Sequence, residues 1–310
     1  MAQTPLRTLP RAAVLLVLLS LTTACGGEGG SSDEAAAAGG VTVLATTPQL
    51  ADITTQVAGS AADVRSLLGA NVDPHDYDPS PADLQSLAEA DVVVRNGLGA
   101  DAWLQDSLDS SGFDGTLVTA SDGVPVREQD GETDPHIWQD PRNVLRMTAT
   151  IADALRNAAP DAAAAIDRNE KSYTAELTEL DRTIAARIAA VPPERRKLVT
   201  NHDAFGYYAD RYGLEVVGSI IPSFDTSAEL SGRALSDIVD KIRASGAPAV
   251  FSESSLPPQT ARTIAQQAGV EVVAGEDSLY GDSLGPRGSG ADSYLAMMEH
   301  NTDVIVEALR

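Results

Sequence analysis

The sequence predicts an α/β protein made of two wound (β/α) lobes with parallel-rich sheets, joined by a long rigid α-helix. Three observations predict it. Short β-rich runs alternate with helix-period stretches across residues 41–160, the pattern of a parallel sheet with helical crossovers. The same alternation returns across residues 192–310. Between them, residues 161–191 contain no Pro or Gly and carry one apolar stripe. The 310 residues suffice for two ordinary domains, and 43% hydrophobic against 22% charged residues is a globular balance.

The elements follow in order. Arg7 and Arg11 precede the apolar run Ala12–Leu19, and small residues follow, so residues 1–24 read as an export signal. The run falls short of the roughly 18–20 apolar residues that span a bilayer. Cys25, the only cysteine, comes directly after it. It reads as the lipidation site of a bacterial lipoprotein, with Ala24 placed as in the usual lipobox and Thr22 where an aliphatic residue is commoner. Residues 25–40 are rich in Gly, Ser and Ala and form a flexible tether. The protein is therefore expected outside the cytoplasmic membrane, in the periplasm or at the cell surface, held by lipid.

In the first lobe, strands are expected at Val41–Ala45, Val64–Leu68, Val92–Val94 and Leu117–Thr119. Leu50, Ile53 and Val57 mark a helix stopped by Gly59, and Leu84, Leu87 and Ala88 mark another. In the connecting segment, Ile166, Tyr173, Leu177, Leu180, Ile184 and Ile188 fall on one face of a helix of about 30 residues, a strut that restrains lobe motion. The second lobe offers strands at Lys197–Thr200, Leu214–Ile221, Ala249–Ser252 and Val270–Ala274. Its helices run through Leu235, Ile238, Val239 and Ile242, then Ile264, Ala265 and Ala268, with a terminal helix carrying Tyr294, Val304 and Ile305.

Charge and cysteine usage exclude several functions. With 22 Lys and Arg against 45 Asp and Glu, the net charge of −23 argues against a nucleic-acid partner. One cysteine excludes an internal disulfide framework and any multi-cysteine metal site.

The chemistry concentrates at expected strand ends. Asp73-Pro74-His75 and Asp134-Pro135-His136 are the same tripeptide in a chain with four histidines. Proline before each histidine and Asp-Pro turns present the imidazoles from stiff loops. Asp73, Asp76, Asp134 and Asp140 are candidates to orient the rings. His202 ends the first strand of the second lobe, and Asp282 lies just past its last strand. Loops leaving carboxyl strand ends form the ligand crevice of wound sheets. His75, His136, His202 and Asp282 would then make a three-imidazole, one-carboxylate shell for a borderline divalent ion. Glu253, at a neighbouring strand end, is either a partner of that shell or a simple strand-end acid. His300 reads as a helix-surface residue, and Phe205, Tyr207, Tyr208 and Tyr212 as core and cleft lining.

At these residues the chain resembles the zinc/manganese-type (cluster A-I) solute-binding lipoproteins of bacterial ABC importers, nearest the zinc-binding members. The matching stretches are Asn71-Val72-Asp73-Pro74-His75-Asp76-Tyr77-Asp78-Pro79, Asp134-Pro135-His136-Ile137-Trp138-Gln139-Asp140-Pro141, Asn201-His202-Asp203-Ala204-Phe205-Gly206-Tyr207 and Leu279-Tyr280-Gly281-Asp282-Ser283-Leu284. The resemblance implies a metal between two lobes, with ligands at His75, His136, His202 and Asp282. It also implies a membrane permease as partner, a metallochaperone as an open option, and a monomer that is not an enzyme. Many zinc members carry a histidine-rich loop between the first two ligands, whereas this chain has only Glu128-Gln129-Asp130-Gly131-Glu132. Manganese members usually place a glutamate at the third ligand. His202 makes the site softer, so Zn²⁺ is expected over Mn²⁺.

The rival class is a secreted zinc hydrolase, whose metal keeps an open water position. It lacks support from a His-Glu-x-x-His helix or a Gly-x-Ser-x-Gly elbow. For a carrier, affinity is expected to weaken as pH falls towards about 6, where imidazoles protonate. Release is expected through movement of the glycine-rich loop 281–291.

Overall fold

The computed structural model describes residues 40–228 and 230–310; the export signal, Cys25 and the tether up to Gly39 lie outside the described residues. Strands β1 (Val41–Ala45), β2 (Ala62–Ser66), β3 (Val92–Arg95) and β4 (Thr116–Thr119) form a wholly parallel sheet in the order β2-β1-β3-β4. β2 begins two residues before the expected Val64 because Val41 of β1 pairs with Ala62; Leu67 and Leu68 continue only as backbone bonds to Ala45 and Thr46.

Local chemistry sets the helices that cross between these strands. Helix α1 (Pro48–Ala58) starts where the Thr47 side chain accepts the Leu50 amide and Pro48 fills a first-turn position. In α2 (Pro81–Ala88), Ser80 and Asp83 form a reciprocal capping box. Helices α3 (Leu104–Ser111) and α4 (Pro141–Ala158) complete the half, and Asp140 caps α4 through the Arg142 amide.

A short antiparallel hairpin, β5 (Glu128–Gln129) and β6 (Glu132–Thr133), precedes α4. Its tip uses Asp130 and Gly131 with φ of 54° and 86°, an Asp-Gly pair suited to a tight hairpin turn.

The second half repeats the arrangement. β7 (Lys197–His202) pairs in parallel with β8 (Glu215–Ile221), and β9 (Ala249–Phe251) with β10 (Glu271–Val273). β7 lies beside β9, so the spatial order again places the first strand inside the second. Helices α6 (Gly206–Tyr212), α7 (Gly232–Ser245) and α8 (Gln259–Ala268) fill the crossovers.

Helix α5 (Ala163–Ala189) runs 27 residues, about 40 Å at 1.5 Å per residue. All six residues of its apolar stripe are buried. It packs on α1 and α4 along one stretch and on the terminal helix α9 (Tyr294–Leu309) along another. One continuous apolar core therefore runs from Val43 and Ile53 through Leu177 and Ile184 to Phe251 and Ile305. Each buried side chain of that size contributes roughly 1.5–3 kcal/mol, so separating the halves would expose a large part of the core.

Candidate metal centre

The two Asp-Pro-His tripeptides fold as the same turn. Asp73 accepts the His75 amide at 2.9 Å, and Asp134 accepts the His136 amide at 3.0 Å. Each is an aspartate closing on the backbone two residues ahead, with proline fixing the bend between. Beyond that point the copies differ. Asp134 also contacts the His136 ring Nδ1 at 2.8 Å, whereas the second oxygen of Asp73 accepts the Thr226 hydroxyl at 2.7 Å. Trp103 Nε1 pins the first turn through the Pro74 carbonyl.

His202 is the last residue of β7. Its amide donates to Glu253 Oε1 at 2.9 Å, and Glu253 Oε2 lies 2.9 Å from its Nδ1. Gly281 allows this approach: a Cβ there would stand 2.2 Å from Glu253 Oε2. The Gly281 carbonyl accepts from Trp138 Nε1 and Gln139 Nε2, both at 2.8 Å, which fixes the segment carrying Asp282.

These elements bring His75, His136, His202 and Asp282 together, with one ligand atom of each within 4.8 Å of all the others. His136 Nε2 stands 3.3 Å from both His75 Nε2 and His202 Nε2. Asp282 places Oδ2 3.0 Å from His202 Nε2 and Oδ1 3.4 Å from His136 Nε2. The His136, His202 and Asp282 side chains are fully buried and that of His75 is 3% exposed. Beyond these imidazole contacts, neither Asp282 oxygen has a hydrogen-bond partner. With Nδ1 of His136 and His202 facing carboxylates, their Nε2 atoms are left to point towards one another and towards Asp282. A buried constellation of this kind is balanced only by positive charge in its midst.

Protonation follows the same logic. Burial opposes charge on His136, but contacts with Asp134 and Asp282 outweigh it and raise its pKa to about 9. Burial also opposes charge on His202, and Asp282 and Glu253 raise it well above the ordinary value. Burial alone would raise Asp282; His202 and then His136 hold it well below the usual carboxylate range. His75 is lowered by burial, which Asp282 only partly offsets.

Two expected partners stand elsewhere. Asp76 is exposed and turned to solvent. Asp140 faces the first turn of α4 and lies 3.8 Å from Arg211, because capping a helix aims its side chain along the chain rather than back at His136. Asp134 and Glu253 are the carboxylates against the rings. His300 is half-buried on α9, bonded to the Ser278 carbonyl and outside the cluster. The loop after Asp282 divides in two. Gly281–Leu284 is buried, with Ser283 and Leu284 both accepting the Asn71 amide, while residues 286–290 are exposed.

Sequence reading overlooked the roles of Arg127 and Gln129 and took Tyr207 only as core and cleft lining. The Tyr207 hydroxyl joins the Arg127 amide to the Asp134 carbonyl, and Gln129 donates to Asp203 beside His202. Their signal was the acidic stretch around Asp130-Gly131, which marks a hairpin turn rather than a missing loop.

A family model described as ZnuA, zinc-uptake complex component A, periplasmic, matches residues 43–308. The chain belongs to this family. It is 34% identical over 263 residues to the manganese-binding lipoprotein MntA of Halalkalibacterium halodurans, covering 84% of this chain and 85% of that one. It is 30% identical over 273 residues to the zinc-binding protein TroA of Treponema pallidum, covering 86% and 88%. The solved structure of the periplasmic zinc-binding protein TroA superposes with a TM-score of 0.81 at 28% identity, covering 87% of this chain and 99% of that one. The α/β architecture with parallel-rich sheets is thus that of the family.

Proposed function

We propose that this chain is the extracytoplasmic substrate-binding component of an ABC importer, which captures one Zn²⁺ between its halves and delivers it to a membrane permease. The observation that carries the reading is the buried Asp282 carboxylate, which has no partner besides the imidazole Nε2 atoms that it faces. His75, His136, His202 and Asp282 are the proposed ligands. Residues 41–160 and 192–310 act as lobes on either side of the strut 161–191.

Spacing supports zinc. Ligands about 2.0–2.1 Å from a tetrahedral Zn²⁺ stand about 3.3–3.4 Å apart along each edge, and His136 Nε2 lies 3.3 Å from each neighbouring nitrogen. A manganese reading draws on relatives such as MntA, named for that metal. Three nitrogen donors and one carboxylate weigh against it, since harder ions favour oxygen.

Four protein ligands leave no open water position, which suits carriage and not a zinc hydrolase. Lipid on Cys25 would hold a monomer at the membrane surface. Release would leave Gly281–Leu284 in place and involve the exposed residues 286–290.

Competition titration of the mature protein against a chelator tests the metal assignment. One Zn²⁺ should bind tightly and Mn²⁺ poorly; comparable affinities would overturn zinc. Asp282→Ala separates carrier from enzyme, because a carrier loses zinc affinity whereas a hydrolase keeps zinc and changes turnover.

A further inference from the structure

Arg127 lies at the start of the hairpin, outside the four proposed ligands, yet its guanidinium reaches both halves. Nη1 contacts Asp134 Oδ2 at 3.2 Å, Nε contacts Asp210 Oδ2 on α6 at 3.0 Å, and Nη2 donates to Gln129 Oε1 at 2.8 Å. Gln129 in turn donates to Asp203 at 2.6 Å, next to His202. Asp134 is fully buried; its Oδ1 takes both the amide and the ring contact of His136, which leaves Oδ2 to Arg127.

Across the interface, space is reserved for this contact. A Cβ on Gly206 would stand 2.5 Å from Arg127 Nη1 and 2.8 Å from Asp134 Oδ2. Glycine opens the first turn of α6 so that an arginine and a carboxylate from the other half can sit against it. A buried carboxylate oxygen without its donor would turn to find another, and Oδ1 would carry the His136 ring with it.

Resting on the reading of the site as a metal carrier, we propose that Arg127 is a positioning residue: seated against Gly206, it fixes Asp134 behind His136, joins the two halves at the metal centre, and sets how long the ion is retained. The guanidinium suits this task because its planar fork serves several acceptors in fixed directions, which an ammonium does not.

The test compares wild type, Arg127→Gln, Arg127→Lys and Asp210→Asn for zinc release into excess chelator, for the visible bands of bound Co²⁺, and for metal-free thermal midpoint. Arg127→Gln should release zinc roughly tenfold faster, the scale seen when a group supporting a ligand is removed. It should also shift the Co²⁺ bands, because His136 is re-aimed. Arg127→Lys should fall between it and wild type. Asp210→Asn, at an exposed end of the bracket, should speed release to a smaller degree with wild-type bands. Release rates and Co²⁺ bands that match wild type in Arg127→Gln would overturn the proposal, as would a lowered midpoint with an unchanged rate. Should Arg127→Gln fail to fold, unchanged release in both Arg127→Lys and Asp210→Asn would overturn it instead. Wild type that binds neither zinc nor cobalt would sink the carrier reading, a different outcome from these.

Discussion

Proton competition gives the most quantitative handle on the site. In the metal-free protein His136 holds its proton up to about pH 9 and His202 is likewise shifted upward. A metal must displace both protons, because a ligand nitrogen needs its lone pair. Below about pH 9, His136 alone weakens apparent affinity about tenfold for each unit of pH, or about a hundredfold between pH 9 and pH 7. His202 acts in the same direction, so the slope should lie between one and two decades per unit, at about 1–2. His75 is shifted downward and adds to the loss only below the ordinary imidazole range of about 6.5. Asp282, held well below the carboxylate range, adds nothing near neutrality. Chelator competition across this range measures the slope. Calorimetry in buffers of different ionisation enthalpy counts the protons, which should approach two per metal near pH 7. An affinity that stays flat from pH 9 to pH 7, with loss confined to the acid side of about 6.5, would refute the reasoning and restore the behaviour of ordinary imidazoles.

Four further outcomes follow from the same geometry. Asp282→Ala removes the buried carboxylate and leaves raised imidazoles unpaired, a loss of about 3–5 kcal/mol in zinc affinity by titration; a change under tenfold would exclude it as a ligand. Metal-free stability should fall with rising pH, because the folded pKa of His136 exceeds its unfolded value. That contribution is complete below about 6.5 and vanishes as pH passes about 9. Thermal scans with chelator should show the decline, and a midpoint rising over that interval would contradict it. Gly281→Ala places a methyl 2.2 Å from Glu253 Oε2 and should cost about 1–3 kcal/mol of stability as well as zinc affinity; wild-type behaviour in both would mean that the segment shifts freely. Trp138→Phe deletes one donor to the Gly281 carbonyl and should lower stability by about 1 kcal/mol in denaturant titration, with unchanged stability showing that Gln139 suffices.

The periodic elements were legible in the sequence because their physics is local. The α5 stripe announced its buried face, and β1 and β3 appeared within one residue of their bounds. The proposed ligands were legible for a different reason: histidine is scarce here, and the doubled Asp-Pro-His gave each imidazole the same stiff turn. Whether a given acid would face a ring was not legible. Asp76 and Asp140 lie within four residues of a proposed ligand histidine, as Asp134 does, yet the former turns to solvent and the latter caps a helix. Glu253, from another strand, reaches His202 only because residue 281 lacks a side chain. Arg127 was invisible for the same cause, since its partners Asp134, Asp210 and Tyr207 meet it across 7 to 83 positions of chain.

The acids around the site explain how one structure can serve both loaded and unloaded states. Asp282 faces the three Nε2 atoms, while Asp134 and Glu253 stand behind two of the rings. Without metal, protons on His136 and His202 answer this negative charge; were the proposed ligands to take up a divalent cation, two positive charges would leave as two arrive. The buried charge is the same in both states, so neither has an uncompensated carboxylate in a core that spans both halves. Exchange of one ion for two protons then needs no wide opening of the lobes, which the continuous packing of α5 against α1, α4 and α9 would resist. On the proposed ligand set it would require a path for small ions and a change in proton availability, so that local pH would bear on release.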